Sequence, residues 1–132
     1  MKVGFIGLGN AGGKLAGSLL RNGFDLTVRD LNDSLVNEFV ARGASTIGSP
    51  REMAELCDIV ITCLPSPRAC SEVMESKNGI IAGLSHGKIW LELPFLSSKI
   101  FPLDFKPAGF ATFSENHFAN FFFPPAMFII SK

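Results

Sequence analysis

Met1-Lys2-Val3-Gly4-Phe5-Ile6-Gly7-Leu8-Gly9-Asn10-Ala11-Gly12 carries a short apolar run into three glycines spaced G-x-G-x-x-G. The run reads as a β-strand and the residues after the glycines as a helix, so the glycines occupy the turn between them. Each has its own task. Gly7 lets the backbone leave the strand in a tight turn, Gly9 carries no side chain to keep a ligand away, and Gly12 lets the helix pack close to the strand. A helix that starts there presents free backbone N–H groups and a partial positive charge, which suits a diphosphate.

The flanking sequence supports this placement. Ala11, Leu15 and Leu19, with Ala16 and Leu20 alongside, have the spacing of one buried helical face. A second strand, Leu26-Thr27-Val28, runs into Arg29-Asp30. Asp30 follows Gly12 by eighteen residues, near the distance at which a carboxylate accepts hydrogen bonds from an adenosine ribose. Arg29 suits the 2′-phosphate of NADP, whereas the Asp30 carboxylate repels it, so the pair favours NAD and leaves NADP open.

Further along, a helix is expected from Asp33 to Arg42, with Leu35 paired to Phe39, Val36 to Val40, and Gly43 closing it. A short strand follows over Ala44–Ile47. Ser49-Pro50-Arg51-Glu52 reads as a capping box that opens a helix through Leu56. Ile59–Leu64 is a continuous apolar run, as expected of a central parallel strand covered on both faces. Ser66 and Pro67 open the next helix, which runs through Met74. Gly79–Leu84 makes a turn or short helix, and Lys88–Glu92 a fifth strand. Such alternation predicts an α/β fold, a Rossmann-type doubly wound parallel sheet. Ligands bind at the carboxyl ends of such strands, which places Leu64 and Pro65 beside the cofactor.

Twelve basic and twelve acidic residues balance in 132, so no net field recruits nucleic acid or an anionic membrane. Cys57, Cys63 and Cys70 contain no C-x-x-C pair and read as inert thiols in a reducing compartment, with no metal site. His86 and His117 read as surface residues. The first strand begins at residue 2 and the late apolar run Phe121–Ile130 is short and broken by Pro124-Pro125, which together point to a cytoplasmic protein.

Composition changes after Glu92. Ten of thirteen phenylalanines and five of eight prolines lie beyond it, and periodicity fades. The expected division is therefore a nucleotide-binding domain over 1–92 and an irregular, poorly ordered Phe/Pro-rich tail over 93–132. Ending the sheet at the fifth strand makes that strand an edge, which invites self-association and which the tail can partly cover.

Taken together, Gly7–Gly12, Val28-Arg29-Asp30, Cys57–Pro65 and Lys88–Glu92 resemble the β-hydroxyacid dehydrogenases, a family that includes 3-hydroxyisobutyrate dehydrogenase, tartronate semialdehyde reductase and, more distantly, 6-phosphogluconate dehydrogenase. The resemblance spans residues 2 to about 92. It implies an NAD(P)-binding domain contacting the cofactor through Gly7, Leu8, Gly9, Asn10, Ala11, Gly12, Arg29, Asp30, Leu64 and Pro65. It also implies hydride transfer between nicotinamide and a small 3-hydroxy acid. Where the family continues the fifth strand into a serine-threonine segment that grips the substrate carboxylate, this chain reads Leu93-Pro94-Phe95. The family's catalytic lysine lies beyond the nucleotide domain, and Lys99, Lys106 and Lys132 sit in unrelated sequence, so no catalytic residue is assigned. The expectation is a cofactor-binding half without turnover, its tail the product of a frameshift, an alternative splice or translated intron. The alternative is a cofactor-sensing or partner-binding protein that docks through its aromatic tail.

Overall fold

A computed structural model of the chain describes residues 1–93 and the strand Phe128–Ser131. The expected order is present: β1 (Lys2–Ile6), α1 (Asn10–Arg21), β2 (Asp25–Arg29), α2 (Asp33–Ala41), β3 (Ser45–Thr46), α3 (Pro50–Leu56), β4 (Ile59–Thr62), α4 (Pro67–Glu75), α5 (Ile80–Gly83) and β5 (Ile89–Glu92). The strands β3, β2, β1, β4 and β5 lie side by side in that order, all parallel. Strand order reverses at β1, between β2 and β4, which opens a crevice at their carboxyl ends.

Local chemistry sets the element ends. Asn32, Ser49 and Ser66 cap α2, α3 and α4, accepting from the N–H groups of Ser34, Glu52 and Ala69, and Pro50 and Pro67 begin their helices. After α2, Gly43 takes φ +103°, and the N–H groups of Gly43 and Ala44 donate to the Val40 and Phe39 carbonyls. Lys88 reaches back to the C-terminus of α3, donating to the carbonyls of Ala54 (2.9 Å) and Glu55.

Each face of the sheet has its own core. Val3, Phe5, Leu26 and Val28 pack with Ala16, Val36 and Phe39 on one side. Ile6, Val60 and Trp90 pack with Met53, Cys57, Cys70, Met74 and Ile80 on the other. Alternate residues of β1 therefore serve opposite layers, as a doubly wound sheet requires.

Two helical faces differ from expectation. Of the expected α1 face, Ala16 is buried and Leu19 and Leu20 pack against the core, while Leu15 is 46% exposed and Gly12 and Gly17 are buried beside Ala16. Residues this small bring the helix axis close to the sheet, and the leucine is left at the rim. In α2, Val36 and Phe39 form the buried pair while Val40 faces outward. Strands β3 and β4 are shorter than the apolar runs that announced them.

The fifth strand is not the edge. Phe128–Ser131 form β6, antiparallel to β5, with Trp90 opposite Ile130 and Glu92 opposite Phe128. Part of the tail thus closes the edge, as expected. Otherwise the irregular tail falls on residues 94–127 and 132, outside the described residues, as do Lys99, Lys106, Lys132 and His117.

Candidate functional site

A cleft of about 650 Å³ lies at the carboxyl ends of β1, β2 and β4. Its floor is the glycine turn. Gly7 takes φ +97°, and a Cβ there would lie 2.2 Å from the Cys63 carbonyl oxygen. A Cβ on Gly12 would lie 1.9 Å from the Gly7 carbonyl oxygen. Neither position accepts a side chain. Gly9 differs: nothing lies within 4 Å of its Cβ position, which opens into free space. Two glycines thus hold the turn together, and the third keeps room for a ligand.

The helix that starts at this turn is built to receive an anion. Gly9 provides α1 with no side-chain cap, and its first turn holds no acidic residue, in contrast to the capped starts of α2, α3 and α4. The first-turn N–H groups therefore have no intrahelical acceptor and no side-chain partner, and they line the cleft at Asn10, Ala11 and Gly12.

Asp30 stands at the opposite wall, where β2 ends. Its Oδ2 accepts from the Leu8 N–H at 2.6 Å and its Oδ1 from the Asn32 N–H at 2.8 Å. One backbone bond on each oxygen fixes the carboxylate's orientation and leaves further lone pairs for a ligand. Arg29 also lines the cleft, and its Nη1 donates to the Ile47 carbonyl at 3.4 Å, which turns the guanidinium toward the β3–α3 loop.

Of the ten residues named from the sequence, nine line this one cleft: Gly7, Gly9, Asn10, Ala11, Gly12, Arg29, Asp30, Leu64 and Pro65. Leu8 does not. It is 2% exposed in the α1–α2 core, and its N–H is engaged by Asp30, so it shapes the turn from beneath. The sequence reading missed the wall formed by α4, where Ala69, Glu72 and Val73 line the cleft, and the Gly48-Ser49 loop facing it. The signal for α4 was the β4–loop–α4 connection, since a helix that begins just past a strand's carboxyl end borders the same crevice.

Residues 2–98 match the family pattern of the NAD binding domain of 6-phosphogluconate dehydrogenase. The chain belongs to this β-hydroxyacid dehydrogenase family. The nucleotide-binding domain is 38% identical over 90 residues to mouse (Mus musculus) 3-hydroxyisobutyrate dehydrogenase, mitochondrial, covering 68% of this chain and 27% of that protein. It is 37% identical over 93 residues to glyoxylate/succinic semialdehyde reductase 1 of Arabidopsis thaliana, covering 70% and 32%. Among solved structures, the 3-hydroxyisobutyrate dehydrogenase of Salmonella typhimurium superposes with a TM-score of 0.65 at 26% identity, covering 70% of this chain and 33% of that one. The chain spans about a quarter to a third of the length of these relatives.

The residues at the turn fit the nicotinamide dinucleotide that the family binds: room at Gly9, free N–H groups on α1 and a fixed carboxylate at Asp30. No lysine or histidine is among the described residues lining the cleft. His86 is exposed elsewhere. All three cysteines are free, and burial pushes their thiols up, Cys70 to about 12. Among the described residues no helix is long and apolar enough to cross a membrane.

Proposed function

We propose that the chain binds NAD in preference to NADP, as the nucleotide-binding part of an oxidoreductase acting on a small 3-hydroxy acid. The observation that carries this is the pairing of an uncapped α1 with open space at Gly9, beside a carboxylate held by two backbone N–H groups. The pyrophosphate rests on the α1 N–H groups, and the ribose hydroxyls donate to Asp30. A 2′-phosphate would meet the Asp30 charge, while Arg29 is turned to the Ile47 carbonyl. Leu64 and Pro65 border the nicotinamide half. When bound, the nicotinamide supplies the hydride chemistry.

The substrate class comes from the relatives' names. The cleft itself offers no lysine or histidine among the described residues to move the hydroxyl proton. We therefore place the catalytic acid–base group outside residues 1–93, with the domain boundary after Glu92. A cytoplasmic location and self-association, now through the outer edge at β6, belong to the same reading. A fluorescent fusion tests the first against the mitochondrial address of the mouse relative, and sedimentation tests the second.

Calorimetric titration of the chain with NADH and with NADPH tests the cofactor reading, with Asp30→Asn as the control. Asparagine keeps an acceptor for the Leu8 N–H and removes the charge. The expected result is saturable NADH binding, NADPH weaker by about tenfold or more, and a smaller gap in the variant. Binding of neither dinucleotide overturns the reading, and tighter NADPH binding overturns the NAD preference.

A further inference from the structure

Gly17 lies in the middle of α1 and is buried. Beyond the helix's own backbone, the atoms nearest to a Cβ added there are all arginine nitrogens: Arg42 Nη2 at 3.2 Å, Arg21 Nη1 at 3.4 Å and Arg42 Nη1 at 3.9 Å. Two guanidinium groups, one from the last turn of α1 and one from the C-cap of α2, therefore converge over a single glycine.

Arginines near helix ends often serve the last carbonyls, but here other groups already do so. At the end of α1 the Asn22 N–H donates to the Ser18 and Leu19 carbonyls, Gly23 to Leu20 and Phe24 to Leu19, and Asn22 Nδ2 also donates to Ser18. At the end of α2 the N–H groups of Arg42, Gly43 and Ala44 serve the carbonyls of Phe39 and Val40. The Arg42 guanidinium is held by its surroundings instead. It lies 4.8 Å from the centre of the Phe39 ring, and its Nη1 stands 3.5 Å from Glu38 Oε1, while its Nη2 approaches Gly17. Arg21 has no ion pair among the described residues.

Two like charges held this close beside one loosely paired carboxylate leave an excess of positive charge. Lys14, exposed and one turn before Gly17 on α1, adds to it. None of Lys14, Gly17, Arg21 and Arg42 lines the dinucleotide cleft. Arg21 and Arg42 close the helices that lead into β2 and β3, so they lie toward the amino ends of the strands, on the side away from the cleft.

We propose that Gly17, Arg21 and Arg42 form a second anion site, a shelf for a phosphate group carried by inorganic phosphate or by a small phosphomonoester. The guanidinium is a planar, permanently charged fork whose paired N–H donors match a tetrahedral oxyanion. Two forks that reach one point from different helices can hold one phosphate between them. Glycine at position 17 lets them converge, since a larger side chain would fill the space they share. The shelf does not depend on the dinucleotide reading.

The experiment titrates the 132-residue chain, labelled with nitrogen-15, with inorganic phosphate near pH 7.5 at constant ionic strength, following arginine Nε–Hε and backbone amide signals. Saturable shifts at Arg21 and Arg42 are expected, with a Kd of about 1–10 mM, and they persist when NADH is in excess. Sulfate acts alike, whereas chloride, a single atom, cannot bridge the two forks. Arg21→Gln and Arg42→Gln each weaken binding about tenfold. Gly17→Leu does the same while keeping every charge, which separates a shaped site from a diffuse field. Flexible side-chain ends are what the leucine meets first, so the helix accepts it, and the amide spectrum checks the fold. Tighter binding of methyl phosphate than of inorganic phosphate assigns the shelf to a monoester, and the reverse order to the free ion. The proposal is overturned by unsaturated or absent shifts at the two arginines, by equal shifts with chloride, by their loss when NADH is added, or by wild-type affinity in Gly17→Leu. Should a variant fail to fold, the comparison of phosphate with chloride on the wild type decides alone.

Discussion

Replacing Glu92 by glutamine is expected to stabilise the fold above neutral pH, by an amount set by the carboxyl's surroundings. The side chain is 4% exposed, and burial outweighs the hydrogen bond from Thr62, raising the carboxyl from 4.5 to about 7. A group raised in the folded state contributes stability that is fully present below its unfolded value and lost as pH rises through its folded value. For Glu92 that window runs from 4.5 to about 7. A difference of about 2.5 units, at ~1.36 kcal/mol per unit, amounts to about 3 kcal/mol. This is a large share of the 5–15 kcal/mol, roughly, that holds a domain together. Glutamine is neutral throughout and keeps an acceptor for the Thr62 hydroxyl. The pH-dependent part of the difference between variant and wild type should therefore grow from near zero at pH 4.5 to about 3 kcal/mol at pH 8 in favour of the variant. Urea unfolding followed by far-UV circular dichroism at several pH values measures it, provided the m-values agree. A difference that stays flat, or that favours wild type as pH rises, refutes the reasoning.

Gly12 and Gly9 should separate fold from function. Gly12→Ala places a Cβ 1.9 Å from the Gly7 carbonyl oxygen and should cost about 1–3 kcal/mol in denaturant unfolding. Gly9→Ala meets nothing within 4 Å and should leave stability within about 0.5 kcal/mol, while weakening NADH binding about tenfold by calorimetry. Asp30→Ala removes the acceptor of the Leu8 N–H, so it should lower stability by about 2 kcal/mol as well as NADH affinity, whereas Asp30→Asn should keep much of that stability. The 132-residue chain supplied with NAD and 3-hydroxyisobutyrate should show no absorbance growth from NADH, since no lysine or histidine among the described residues lines the cleft.

How much of this was legible in the sequence depends on whether a feature is a backbone requirement or a meeting of distant side chains. The phosphate-binding turn was legible because each of its conditions is local. A positive φ at Gly7 and a contact that forbids a Cβ at Gly12, both of which only glycine meets, arise with the open space at Gly9 within one strand–turn–helix unit. The caps at Ser49 and Ser66 were legible for the same reason. The buried face of α1 was legible at Ala16, Leu19 and Leu20 and misjudged at Leu15, because periodicity counts leucine as inward while close approach to the sheet buries Gly12 and Gly17 and leaves Leu15 outside.

Leu8 and Glu92 show the opposite limit. Leu8 sits inside the glycine motif, yet its function in the fold is to bury its side chain and give its N–H to Asp30, twenty-two residues away. Glu92 entered the sequence reading only as the last residue of the fifth strand. Its meaning comes from Thr62, which bonds it once β4 and β5 pair and which also accepts from Trp90. A charge-bearing residue in an apolar strand is the one sequence signal it gave. Charged side chains are seldom fully buried unless their hydrogen bonds are met, so an acid at a strand's carboxyl end has either a solvent-facing place or a structural partner. Here Thr62, opposite Glu92 across the β4–β5 pair, is that partner, so the buried carboxyl is met from the neighbouring strand.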